Sequence, residues 1–252
     1  MTTTYAVLGE FGDAINFIFH SHESRIGGTQ VGGLGQIWDL MWPHLKLSGA
    51  AMAIACAISI PLGLWLGHIG KGGFLAINVS NVGRAVPSLA LIAFFVAYLG
   101  VGFLNLMLAL VLLAIPPILT NAYTGTRQVN RETVDAARGM GMTGPQIVRR
   151  VELPLALPLI FGGIRISAVN VIATATIAPL AGVTTLGDPI INVNTYGDEG
   201  RLAAAIVVAL LAVVTEVTLG AVQRAVTPRG LKLTPAGRRR HRFPITRREA
   251  TS

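Results

Sequence analysis

The chain has 252 residues, 52% of them hydrophobic and only 13% charged, with a mean hydropathy of +0.61. A water-soluble domain of this length carries roughly twice that charged fraction, so a soluble globular enzyme is excluded and an integral membrane protein is expected. The net charge of +8 does not signal nucleic acid, because the basic residues fall in two blocks without the interleaved aromatics that base stacking requires.

Residues 1–44 are expected to form an extracytoplasmic arm. They hold acidic groups and glycines but no uninterrupted apolar core, so no cleavable signal peptide is expected. Val7, Phe11, Ile15, Ile18 and Phe19 recur at helical spacing, which predicts a short interfacial helix. Five glycines between Gly27 and Gly35 predict a flexible link. Trp38 and Trp42 read as headgroup-level anchors. His20 and His22 read as residues of a wet loop; no histidine pair shows metal spacing on a shared helix.

Residues 45–225 are expected to form the transmembrane domain, with about five helices. Apolar runs of 18 or more residues recur, the length that crosses about 30 Å of hydrocarbon. The first span is placed at 45–67, with Pro61 as a kink tolerated in a packed bundle. It contains the only cysteine, Cys56, which excludes an intrachain disulfide framework and reads as a small buried hydrophobe. The second span is placed at 85–100, with an earlier start open because Phe74 to Gly83 is moderately apolar, and with Arg84 snorkelling at the interface. The third runs from Val101 to Tyr123, where Pro116-Pro117 should bend or break it. A polar, arginine-bearing loop follows (126–157), then spans at 159–183 and 202–224. The tail 226–252, rich in arginine and proline, is expected to be disordered and to lie against anionic lipid.

Orientation follows from the excess of basic residues on the cytoplasmic side. With the loop and the C-terminus inside, fifteen basic residues are cytoplasmic: Lys71, five in the loop and nine from Arg224 onward. Three lie outside, Arg25, Lys46 and Arg201, while Arg84 and Arg165 fall at membrane boundaries. The N-terminus is therefore extracytoplasmic.

The 126–157 loop is itself structured by its sequence. Asn130 is a suitable N-cap, and Glu132 and Asp135 favour the positive helix end. Gly139 and Gly141 can stop that helix with positive φ. Thr143 and Gln146 have capping-box spacing for a second short helix over 144–152. Pro154 and Pro158 should close it and separate it from the fourth span. Two short helices on a glycine hinge make a compact knob, and Val134, Ile147, Val148 and Val151 give it an apolar side that could fill a groove on a partner. The plainer reading is a positively charged loop that only sets topology.

The ordered pattern Asp135-Ala136-Ala137, Gly141, then Val151-Glu152-Leu153-Pro154 resembles the cytoplasmic "EAA" loop of permease subunits of bacterial ABC importers. Pro87-Ser88-Leu89-Ala90, the run through Leu155-Ala156-Leu157-Pro158 to Arg165, and Leu186-Gly187-Asp188 are similar to permeases of osmoprotectant importers for glycine betaine, choline or carnitine. The similarity covers about residues 45–224. Asp135 stands where glutamate is usual, and Val183-Thr184-Thr185-Leu186-Gly187 replaces a more glycine-rich version. The resemblance implies a type I importer permease with no catalysis of its own. It also implies a cytosolic ABC ATPase dimer that binds ATP and Mg, a second permease subunit (identical or similar), and an extracytoplasmic solute-binding protein. The site is a multi-pass position in the bacterial inner membrane. Asp135, Ala136, Ala137, Gly141, Thr143, Gln146, Val151, Leu153 and Pro154 are the residues expected to couple to the ATPase.

Candidate path residues lie in the last two spans. Ser167, Asn170 and Thr174 share one helical face and either line a water-filled path or bond to a neighbouring helix. Glu216 is the carboxylate well inside an apolar run; it is a path residue, half of an interior ion pair, or a group near the inner interface within reach of Arg224. Neither catalytic carboxylate pairs nor a phosphate-cradling glycine loop is evident, so no cofactor is expected on this chain. The rival readings are a permease for another small solute such as an amino acid, an ATPase-independent channel or carrier, and a membrane-embedded enzyme.

Overall fold

The computed structural model describes residues 2–70, 73, 74, 78, 83 and 85–227. Lys71, Arg84, most of the stretch between them, the tail beyond Thr227 and the side chains of residues 2–8, Val7 among them, lie outside the described residues. The elements in order are α1 (Thr2–Phe19), a hairpin of β1 (Ser21–Glu23) and β2 (Gln30–Gly32), α2 (Gly33–Ile69), α3 (Ser88–Leu99), α4 (Phe103–Arg127), α5 (Arg131–Gly139), α6 (Gly144–Ile147), α7 (Leu153–Thr174), α8 (Asp188–Ile191) and α9 (Val193–Val226). Among the described residues, four helical stretches are long and apolar enough to cross a membrane: α2, α4, Gly144–Ala181 and α9. The fifth apolar helix, α3, has 12 residues and so covers only about 18 Å.

Packing ranks these helices. Half of the most apolar window of α4 is buried, against 17% for α9, so α4 is the axis of the bundle and α9 its rim. Leu210, Val213, Val214 and Val217 of α9 point outward and suit a lipid boundary. The main core joins α2, α3, α4 and α7 through Leu47, Ala51, Ile92, Leu110, Ile118 and Val171. Apolar burial drives nothing when the surroundings are lipid, so close backbone approach carries the helix contacts instead. Gly63 and Gly67 of α2 provide it: a methyl built on Gly67 would lie 2.6 Å from Thr126 Cβ, and one on Gly63 2.6 Å from Ala122 Cβ.

Several expectations change. Gly27 to Gly35 is no flexible link but a hairpin turn, its second strand and the first turn of α2. The hairpin is held because Ser24 Oγ and the Arg25 N–H both donate to the Thr195 carbonyl, at 3.0 and 3.2 Å. Phe17 and Ala14 of α1 pack on Tyr196 and Ala203, which docks the arm on the start of α9. The first span begins at Gly33, well before residue 45, and runs unbroken past Pro43 and Pro61.

Pro116 and Pro117 do not end α4. Neighbouring helices supply donors around the proline pair: Ser167 Oγ donates to the Ala114 carbonyl at 2.9 Å and Ser59 Oγ to that of Ile115 at 3.4 Å. The prolines free the carbonyls four residues back, of Leu112 and Leu113, whereas these hydroxyls reach the next two, so they bind α4 to its neighbours beside the pair.

Pro154 and Pro158 likewise fail to separate the loop from the fourth span. A π-helical turn, Val148–Glu152, joins α6 to α7 without a gap, and the Leu153 N–H reaches back five residues to the Val148 carbonyl. The wider turn accommodates Pro154, which has no N–H to give. At its far end the fourth span tightens into a 3-10 stretch, Ala175–Ala181. Buried His44 on α2 contacts the Ile172 carbonyl there through Nε2, at 3.1 Å. The last helix starts at Val193 and breaks once, at Gly197.

Candidate functional site: the cytosolic knob and the polar grooves of the bundle

The knob is built from local signals. Asn130 caps α5, its side chain accepting the Glu132 N–H at 2.8 Å. The helix ends in paired reverse bonds, Gly141 N–H to the Arg138 carbonyl at 2.9 Å and Met142 N–H to that of Ala137 at 3.2 Å. That closure requires a residue with positive φ after the cap, and Gly141 supplies it at φ 80. Gly139 is not the stop: it keeps helical geometry as the last residue of α5. Gln146 turns back to accept the Thr143 N–H at 2.8 Å, the capping-box closure of α6.

The apolar side of the knob is not offered to a partner. Val134, Ala137 and Ile147 are buried against Val129, with Met142, Val151 and Leu155 packed around them. These residues form the knob's own core, because two helices of nine and four residues cannot hold their shape without one. What faces outward is a small-residue and polar surface: Asp135, Ala136, Gly141, Thr143 and Gln146, with Met140 71% exposed at the hinge. Asp135 and Arg138 pair at 3.2 Å, an exposed pair of little energetic weight. Leu153 and Pro154 lie half-buried at the root, in the first turn of α7.

One feature of the knob escapes sequence reasoning. Glu152 is 4% exposed, and its carboxylate accepts a hydrogen bond from His68 Nδ1 at 2.8 Å. His68 is in the last turn of α2, so the pair ties the first span to the π turn. Glutamate at the variable position of Val-x-Leu-Pro carries no signal in the sequence; only the arrival of α2 gives it a partner.

The candidate path residues divide. Ser167 is fully buried and bonds α7 to α4, so it is glue between helices. Asn170 and Thr174 instead line a cavity of about 320 Å³ with Ser88, Pro116 and Ala173. Asn170 also borders a second cavity of about 470 Å³, lined by Gly162, Arg165, Ile166 and Glu216. Glu216 pairs with Arg165, through Nη2 and through Nε at 3.0 Å. Arg165 sits midway along α7. Its Nη1 donates to Gln223 Oε1 at 2.7 Å, and Gln223 Nε2 donates to the Pro158 carbonyl at 2.9 Å. Among the described residues, no three His, Cys, Asp or Glu side chains converge as a metal site. His22 lies in β1 and stacks on Phe17, ring centroids 5.5 Å apart.

Comparison with known proteins meets this geometry. Residues 59–230 match the family described as "Binding-protein-dependent transport system inner membrane component". The chain is 40% identical over 190 residues to the glycine betaine/carnitine/choline transport system permease protein OpuCB of Bacillus subtilis, covering 75% of this chain and 88% of that protein. It is 38% identical over 199 residues to the choline transport system permease protein OpuBB of the same organism (79% and 92%). It is 33% identical over 190 residues to the osmoprotectant import permease protein OsmY of Salmonella typhimurium (73% and 80%). Its fold is similar to that of the inward-facing MetNI methionine ABC transporter, with a TM-score of 0.66 at 21% identity, covering 77% of this chain and 98% of that one. With this match over residues 59–230 and relatives of this identity, the chain belongs to the family of membrane-embedded permeases of binding-protein-dependent ABC importers.

Proposed function

We propose that this permease translocates quaternary-ammonium compatible solutes of the glycine betaine, choline and carnitine type by alternating access, driven by a separate ATPase that docks on the knob. The observation that carries the coupling role is the self-contained core of α5 and α6: a knob that packs its own interior moves as a unit, whereas a slack loop absorbs displacement. The fused helix Gly144–Ala181 supports the same reading, because a push on α6 passes into a membrane span without an intervening joint. ATP and Mg belong to the partner ATPase dimer, and closure of that dimer tilts the helices attached to the knob.

The family supports an extracytoplasmic binding protein and a second permease, identical or similar, across the path. Selectivity resides mainly in that binding protein, where an aromatic cage holds a quaternary ammonium by cation–π contact. In this chain, Asn170 and Thr174 with the adjoining Arg165–Glu216 pair form the polar lining. The solute class rests on relatives whose names specify glycine betaine, carnitine and choline; the amino-acid alternative has only a fold likeness behind it. The test is uptake into proteoliposomes carrying permease, ATPase and binding protein. ATP-dependent entry of glycine betaine, choline or carnitine, with solute-stimulated hydrolysis, is expected; uptake by the permease without the ATPase refutes the reading.

A further inference from the structure

The His68–Glu152 pair lies where three parts of the molecule meet. The imidazole fills the space between the two ends of the second knob helix: Nδ1 bonds Glu152 in the π turn, while a methyl built on Gly144, at the start of α6, would come within 3.3 Å of Nε2. One turn back along α2, Leu64 packs on Ala156 and Ile160 of α7, with Val148 and Leu153 beside it. On its other side α2 is locked to α4 by the Gly63 and Gly67 contacts with Ala122 and Thr126. From this end α2 runs 37 residues, about 55 Å, to the hairpin that docks on the start of α9. A helix of that length, gripped at its cytosolic tip and touching the arm at its outer tip, is a lever.

We propose that His68 and Glu152 form a strut that delivers knob displacement into α2, so that the first span carries motion to the extracytoplasmic face in parallel with the direct route through α7. This rests on the knob being the ATPase-docking element. His68 and Glu152 act as positioning residues: neither touches solute or nucleotide. A buried carboxylate bonded to an imidazole is directional, so the bond resists sliding of α2 past the π turn in a way that apolar contact does not.

The experiment compares wild type with His68→Leu, Glu152→Leu, the double variant and His68→Asn in proteoliposomes containing the whole importer. ATP hydrolysis, solute uptake and assembled yield are read together. The leucine variants are expected to assemble and to hydrolyse ATP within about twofold of wild type, while uptake per ATP falls about tenfold, the scale of an ordinary coupling free energy. The double variant should be no worse than the poorer single. His68→Asn, which keeps an N–H donor near the Nδ1 position, should recover most of the loss. Unchanged uptake per ATP overturns the strut, and so does a proportional fall of hydrolysis, uptake and yield, which marks a merely structural pair. A wild-type importer that shows no ATP-driven uptake overturns the transport reading itself, a separate result.

Discussion

Replacement of Gly141 separates two effects that a single variant would confound. Its φ of 80 lies where an L side chain is strained, at about 1–2 kcal/mol for an ordinary residue and less for asparagine. Within the chain there is nothing within 4 Å of a Cβ built there, so the strain is not joined by any internal clash. Gly141→Ala therefore weakens the α5 closure by about 1 kcal/mol, roughly a fivefold shift in the local opening equilibrium, and leaves the bundle untouched. Gly141→Asn should lie nearer wild type. Gly141→Trp adds a bulky ring on the outward face, where only a docked partner would meet it. The assay is solute-stimulated ATP hydrolysis and uptake in the reconstituted importer, with the thermal transition of the isolated permease as control. Uptake should fall modestly for alanine and be abolished for tryptophan, with the transition of the permease unmoved in all three. Retained uptake in Gly141→Trp refutes docking at this face; equal losses for alanine and tryptophan show that backbone strain, not a partner surface, is what the position controls.

Gly67→Val forces carbon into the 2.6 Å gap to Thr126 Cβ; overpacking of this kind costs about 1–3 kcal/mol, and a lowered midpoint in detergent unfolding checks it. Ser167→Ala removes the bond to the Ala114 carbonyl and should cost about 0.6–2 kcal/mol of stability with uptake retained, whereas Asn170→Leu should spare stability and depress uptake; the reverse pattern sinks the assignment of glue and lining. Glu216→Leu leaves the Arg165 guanidinium without its carboxylate inside the membrane domain, so the Arg165→Leu, Glu216→Leu double variant should insert and accumulate better than Glu216→Leu alone, a comparison read from membrane-fraction yield. If the double variant accumulates less than the single, the pair is not held for mutual neutralisation.

Local chemistry was legible wherever a few neighbouring residues decide the outcome. Asn130, Gly141 and the Thr143–Gln146 box act within a span of at most six residues, so their roles at the ends of α5 and α6 could be read before any fold was known. Hydropathy marked the apolar cores of the long spans, though not their ends, because lipid acts on each segment separately. Prolines misled for the complementary reason. Whether Pro116, Pro117 and Pro154 break a helix depends on how other helices pack around them, or on a π turn that widens to fit, and neither is encoded beside the proline. The glycines of 27–35 signalled freedom in isolation and became a hairpin once Thr195 supplied a bonding partner. The apolar side of the knob was visible as periodicity, but its direction was not, since the same pattern serves a partner's groove or a private core.

Membrane class and family were thus properties of the chain alone, set by segment hydropathy and a short ordered motif. Tertiary structure decided which polar side chains are spent on holding helices together and which remain on an open cavity. Ser167, Asn170 and Thr174 share a helical face in sequence, yet the approach of α4 consumes the first and leaves the other two lining space. Glu216 found Arg165 as a partner, and Glu152 found His68. Such pairings depend on the relative height and rotation of whole helices, which close contacts at Gly63 and Gly67 set and which no local stretch of sequence contains.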